Sequence, residues 1–132
     1  MKSVYAAILT PIDGAAGYAA RVPDVNGCIT TGTDINDTLE NIRDALAACL
    51  CVLEDYDRPI PNPSSPEIIE CESGSVIALV DVDTFKYREE TDTRAVRKNV
   101  SMPAWLLTMA EKRGINCSQV LQEALKKQLG FI

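Results

Sequence analysis

Residues 97–103, RKNVSMP, decide how the chain is read. Val100 and Met102 alternate with Arg97, Asn99 and Ser101, the two-residue period of a strand with one apolar and one polar face. Everything after it has a helical pattern, so nothing downstream can pair with this strand. Pro103 suits a first helical turn. A helix then runs through AWLLTMAEKR to Gly114, which suits the left-handed position beyond a helix end. Asn116, with Gln119 three residues on, gives a capping-box start to a second helix whose apolar stripe is Val120, Leu121, Ala124, Leu125 and Leu129. Lys98 breaks the alternation. By parity it falls with Val100, where a long side chain must snorkel from the end of the strand.

Residues 94–132 number only 39, below the ~40 at which a domain folds without metal, disulfide or partner. An isolated strand also leaves a row of donors and acceptors unpaired. Both defects vanish if two chains meet, their strands antiparallel across a two-fold axis and four helices sharing one core. The sequence therefore implies a homodimer. In it, Arg97, Asn99 and Ser101 of each chain face outward on a two-stranded ribbon of a size that enters the DNA major groove, where Arg reads guanine and Asn reads adenine. The helix start at Asn116, Cys117 and Ser118 offers free backbone N–H groups to a phosphate. The bland alternative is a dimerisation tail with a solvated polar face.

Charge favours the DNA reading. The chain of 132 residues has a net charge of −6, but residues 1–93 carry 6 basic and 17 acidic side chains, a net of −11, and residues 94–132 carry 7 basic and 2 acidic, a net of +5. An acidic body joined to a basic tail suggests two binding tasks of opposite electrostatic sign.

Upstream, KSVYAAILTPID reads as a strand, and Tyr18–Val22 and Cys28–Thr31 as two more around the turn signal at Pro23–Gly27, with Gly14 and Gly17 serving the first turn. The period then changes. Ile35, Leu39, Ile42, Leu46, Cys49, Leu50 and Leu53 mark one face of a helix, with Asp34 as N-cap and Asp37 in its first turn. Four prolines in DRPIPNPSSPE end it. SVIALVDVDTFKYR returns to strand character, and its apolar run from Val76 to Val80 suggests an inner strand covered on both faces. The expected class is α+β: residues 1–88 a small antiparallel sheet with one main helix, βββαβ, then a linker over 89–94, then a βαα unit over 95–132.

The 46% apolar content is enough for a core. No apolar run approaches the ~20 residues of a membrane span, and the N-terminus meets polar residues too soon for a secretory signal, so a cytoplasmic protein is expected. There is no histidine, which removes the commonest general base. The five cysteines show no CxxC spacing; they read as small buried apolar residues in a reducing compartment, with no metal and no cofactor expected.

The tail KNVSMPAWLLTMAEKRGINCSQVLQEALKKQLG resembles a ribbon-helix-helix DNA-binding module of small bacterial repressors. The segments AAGYAARVPDVNGCITTGTDINDTLENIRDAL and RPIPNPS resemble the HicB antitoxin family: a Gly-Tyr strand, Asp-x-x-Gly-Cys, a Gly-initiated helix, then Ile-Pro-x-Pro-Ser. The resemblance implies an antitoxin of a type II toxin–antitoxin pair. Its first domain would have a truncated RNase H-like fold and bind and neutralise a HicA-type toxin, a small basic mRNA-cleaving protein. Its second would bind operator DNA and repress the operon as a dimer, with tetramers also open. By position, Arg97, Asn99 and Ser101 match the outward strand residues that contact bases, and Cys117 and Ser118 the helix start that contacts phosphate. Ser101 departs from the long basic or amide side chain common at its position. Asp24 and Asp37 are the acidic positions offered as toxin contacts.

Two alternatives come from other classes. One is a transcriptional repressor whose first domain senses a small molecule. The other is an RNase H-like metal-dependent nuclease, for which Asp13, Glu40 or Asp44, and Asp81 or Asp83 would be the carboxylates.

Overall fold

The computed structural model describes residues 1–131 and divides into two compact units, Met1–Thr93 and Arg94–Ile132. The first unit is β1 (Lys2–Pro11), β2 (Tyr18–Arg21), β3 (Ile29–Gly32), α1 (Ile35–Asp55), a single 3-10 turn (Pro66–Ile68), β4 (Val76–Asp83) and α2 (Thr84–Thr91). The second is α3 (Ala104–Lys112) and α4 (Cys117–Gln128). The class is α+β, as expected.

The sheet is wholly antiparallel, in the order β3-β2-β1-β4. Alternation along β1 sends Tyr5, Ala7 and Leu9 to one face, where they meet Ala20, Val22, Val80 and Val82 from the sheet and Ile42, Leu46 and Leu50 from α1. Burial of each large side chain in this layer contributes about 1.5–3 kcal/mol, so the spacing of α1's stripe fixes which sheet face it covers. The helix starts where the sequence places it. The Asp34 carboxylate accepts the Asp37 N–H (2.8 Å), and the Asp37 carboxylate accepts the N–H of Thr33 (2.8 Å). Gly32 is required just before it, because a Cβ there would lie 2.6 Å from the Thr38 Cα.

Three expectations are corrected. β4 is an edge strand that pairs only with β1, and Leu79 is 62% exposed, so it is not an inner strand covered on both faces. An apolar run arises as readily when one face is core and the other is open, and period alone cannot separate the cases. Second, Thr84–Thr91 is helical, not strand and linker. The Asp83 carboxylate accepts the N–H groups of Phe85 (3.1 Å) and Lys86 (3.3 Å), so the strand's last residue is the helix's cap. Arg88 then fastens α2 to the end of α1 by donating to the Asp55 carboxylate (2.9 Å) and the Cys51 carbonyl (3.2 Å). Burial opposes the Arg88 charge, but its bond to Asp55 together with the fields of Cys51, Asp55 and Glu54 outweighs this and raises its pKa. Third, Cys71 is exposed, unlike Cys28 and Cys51, which are buried as expected.

In the second unit, Asn116 caps α4 through the Gln119 N–H (3.1 Å), and Gly114 takes φ +66° beyond α3. Pro103 stands one position earlier than expected, as the cap of α3 rather than in its first turn.

Burial pushes the Cys28 thiol up to about 12 from its ordinary 9.0, aided by the neighbouring Cys49. An unfolded chain gives up this proton first. The thiol therefore costs no stability below pH 9.0, and stability falls as pH rises from there toward about 12. We expect Cys28→Ala to flatten the decline in unfolding free energy by ~1.4 kcal/mol per pH unit above that lower limit, read from urea melts of both proteins up to pH ~10.5.

Candidate functional site

In the second unit no residue from Arg94 to Phe131 is buried. Residues 97–102 are exposed and lie outside any helix or strand, without a ladder partner among the described residues. The apolar residues that should form a core are open to solvent: Trp105 is 65% exposed, and Leu106, Leu107, Met109, Val120, Leu121 and Leu125 are all exposed. A shallow groove of about 210 Å³ along α3 and the turn after it is lined by Trp105, Leu106, Met109, Ala110, Arg113 and Ile115. Arg97, Asn99 and Ser101 are exposed on the extended segment. Cys117 and Ser118 open α4, where Cys117 is half-buried and the Ser118 hydroxyl accepts from the Gln122 amide (3.2 Å).

The two acidic positions in the first unit are engaged internally. Both oxygens of Asp24 accept from Ser64, one from its N–H (2.7 Å) and one from its hydroxyl (2.6 Å). The Tyr5 hydroxyl donates to the Pro61 carbonyl (2.5 Å), and burial, with Asp24 nearby, raises its pKa. The segments DVNGC and RPIPNPS, far apart in sequence, thus hold each other, and a cavity of about 490 Å³ beside them is lined by Asp24, Val25, Cys49, Val52, Leu53 and Pro61. Asp37 is committed to the start of α1. Sequence reading missed the Asp24–Ser64 clamp because no local period signals a contact 40 residues away.

The carboxylates weighed for a nuclease do not converge. Asp81 is bonded to Arg43 (3.0 Å), while Asp83 caps α2 and pairs with Lys2 (3.8 Å). Glu40, Asp44, Asp81 and Asp83 do line one cavity of about 280 Å³ with Arg43 and Tyr87, but no group of three or more Asp, Glu or Cys among the described residues is placed to hold a metal ion.

Residues 5–124 match the model of a family described as HicB-like antitoxin of bacterial toxin–antitoxin systems. Among curated sequences, the chain is 29% identical over 94 residues to an uncharacterised 14.9 kDa protein in the rep-hol intergenic region of Haemophilus phage HP1, covering 69% of this chain and 68% of that one. Among solved structures, it is similar to a toxin–antitoxin complex from Streptococcus pneumoniae, with a TM-score of 0.59 at 22% identity over 97% of this chain and 99% of that one. It is also similar to the antitoxin HicB of Burkholderia pseudomallei, with a TM-score of 0.55 at 26% identity over 97% and 99%.

Asp24→Ala leaves the Ser64 N–H and hydroxyl without their acceptor. We expect a loss of about 1–3 kcal/mol in urea unfolding, with faster proteolytic cleavage between Arg58 and Pro66 under native conditions.

Proposed function

The chain belongs to the family of HicB-like antitoxins of bacterial toxin–antitoxin systems, and from that premise we propose that it neutralises a HicA-type mRNA-cleaving toxin with its first unit and represses its own operon by binding operator DNA, as a dimer, with its second. The observation that carries this reading is that the change in charge coincides with the division of the structure. The net of −11 belongs to Met1–Thr93 and the +5 to Arg94–Ile132.

An acidic surface steers a basic, RNA-binding partner and repels nucleic acid. Asp24 and Asp37 reach that partner only through the lone pairs that their internal bonds leave open. The basic unit does the opposite, since phosphate neutralisation supplies most of the affinity for DNA. Its exposed apolar side chains are the other half of the case. Each large one buried against a second copy contributes about 1.5–3 kcal/mol, and residues 97–102 gain their missing ladder from the same contact, forming a ribbon-helix-helix module. The polar face of the ribbon then carries Arg97, Asn99 and Ser101 into the major groove, Arg97 on guanine and Asn99 on adenine, while the N–H groups at Cys117 and Ser118 meet a backbone phosphate. Ser101 is short, so it contributes less to base discrimination than the other two.

The test separates the units. Arg97→Ala with Asn99→Ala is expected to abolish the operator gel shift, each lost bidentate base contact costing about 1–3 kcal/mol, while co-purification with the toxin is unchanged. Loss of both activities together would show that the two units do not divide the work.

A further inference from the structure

Two thiols of the first unit meet at the wall of the cavity of about 490 Å³. Cys49 stands on α1, half-buried, and lines that cavity together with Val25 and Asn26 of the turn before β3. Cys28 ends the same turn. Its N–H bonds the Val25 carbonyl (3.2 Å) and its carbonyl accepts from the Val22 N–H (3.0 Å), so its backbone is fixed on both sides. Its side chain is buried in the core layer against which Cys49 also packs. There the two thiols share a hydrogen bond in which Cys28 keeps its proton. The other cysteines are placed differently. Cys51, two residues along α1, turns its thiol to the Thr84 carbonyl (3.9 Å), and the exposed Cys71 donates to the Ser75 carbonyl (3.9 Å). Cys117 belongs to the second unit.

We propose that Cys49 and Cys28 form a redox switch, in which a hydroperoxide entering the cavity oxidises Cys49 and Cys28 then closes a disulfide that ties residues 23–28 to α1. In the first step the Cys49 sulfur, as thiolate, attacks one peroxide oxygen. The O–O bond breaks, the departing oxygen takes up the proton that Cys49 gave, and Cys49 becomes a sulfenic acid. In the second the Cys28 sulfur attacks the Cys49 sulfur. The S–S bond forms, the S–O bond breaks, and hydroxide leaves with the Cys28 proton as water. The two thiols lose two electrons and the hydroperoxide gains them, ending as an alcohol and water.

The order of the thiols follows from where they sit. Cys28 is 1% exposed, and burial, aided by Cys49, pushes its pKa up to about 12, so it keeps its proton and does not meet the oxidant. Cys49 is reached from the cavity. The proton that makes Cys28 inert in the first step is useful in the second, because hydroxide departs from sulfur more readily once protonated. Thiol–disulfide exchange with a small thiol restores both cysteines, so the dithiol is the resting form in a reducing compartment. The cross-link acts on more than the two residues. The turn that Cys28 closes also carries Asp24, whose carboxylate holds Ser64 (2.7 and 2.6 Å). Tying that turn to α1 removes freedom from it, and the proline-rich segment it clamps is held more firmly.

Peptide mapping of the full chain by mass spectrometry, after hydrogen peroxide and then iodoacetamide, tests the proposal. A peptide pair joined through Cys28 and Cys49 is expected, lighter by two hydrogens than the reduced pair and lost on adding dithiothreitol. In Cys28→Ala the cross-link should vanish and dimedone should label Cys49; in Cys49→Ala, Cys28 should stay reduced. Circular dichroism checks that both variants fold, and the unsubstituted chain decides by itself if they do not. Absence of the Cys28–Cys49 pair there, at a peroxide concentration that oxidises the exposed Cys71, overturns the proposal, as does a cross-link from Cys49 to any other cysteine. Native-state thermolysin cleavage between Arg58 and Pro66 is expected to slow several-fold in the oxidised chain and to recover with dithiothreitol. A cross-link that leaves that rate unchanged holds nothing in place, and overturns the switch.

Discussion

An extended backbone points its donors and acceptors sideways, and each must find a partner or stay in water. The first unit meets that demand for β2, which pairs with β1 and β3, whereas β1 has strand neighbours on both sides only at Ile8 and Leu9. It also meets it at β3, where Asn41 takes an outward carbonyl. Two stretches with unmet backbone groups stand out: the outer edge of β4, and residues 97–102. They lie in different units, and each combines unmet backbone groups with exposed apolar side chains.

The two stretches differ in what their unit already buries. In the basic unit the missing ladder and the missing core are one defect, because Val100 and Met102 share the segment that lacks partners and α3 and α4 have nothing else to cover their stripes. A unit of 39 residues has no reserve from which to fold alone. The acidic unit already buries Tyr5, Leu9, Ile42, Leu46 and Leu50. Its free edge is therefore not needed for folding.

Most of the fold was legible where period and cap agree. The α1 stripe, with Asp34 and Asp37 at its start, and α4 with Asn116, combine a 3.6-residue pattern with a residue that satisfies the first free N–H groups. What escaped was decided by position in the sheet or by distant contacts. The run Val76–Val80 looks the same at an edge or in a centre, because β1 covers only one side of it. α2 was hidden because Asp83 serves strand and helix at once, leaving no spacer to announce the change. Of the proposed site residues, Arg97, Asn99 and Ser101 were picked out by alternation alone, and they lie exposed on the segment 97–102. The internal roles of Asp24 and Asp37 needed coordinates, since an exposed acidic residue in a turn looks the same whether it holds Ser64 or nothing.

The opposed charges set limits on each other. If the chain binds operator DNA as proposed, a net charge of −6 requires that its −11 body be kept away from the phosphates while +5 engages them. Neutralising the body with a basic partner would reduce that repulsion, and the effect would reach the second unit through the field without any change of shape. By linkage, whatever free energy toxin binding adds to operator binding, operator binding adds equally to toxin binding. Because screening is nearly complete beyond ~10 Å at 0.1 M salt, this coupling is strong only when the two units lie close together or at low ionic strength. A coupling carried by contact would persist as salt rises.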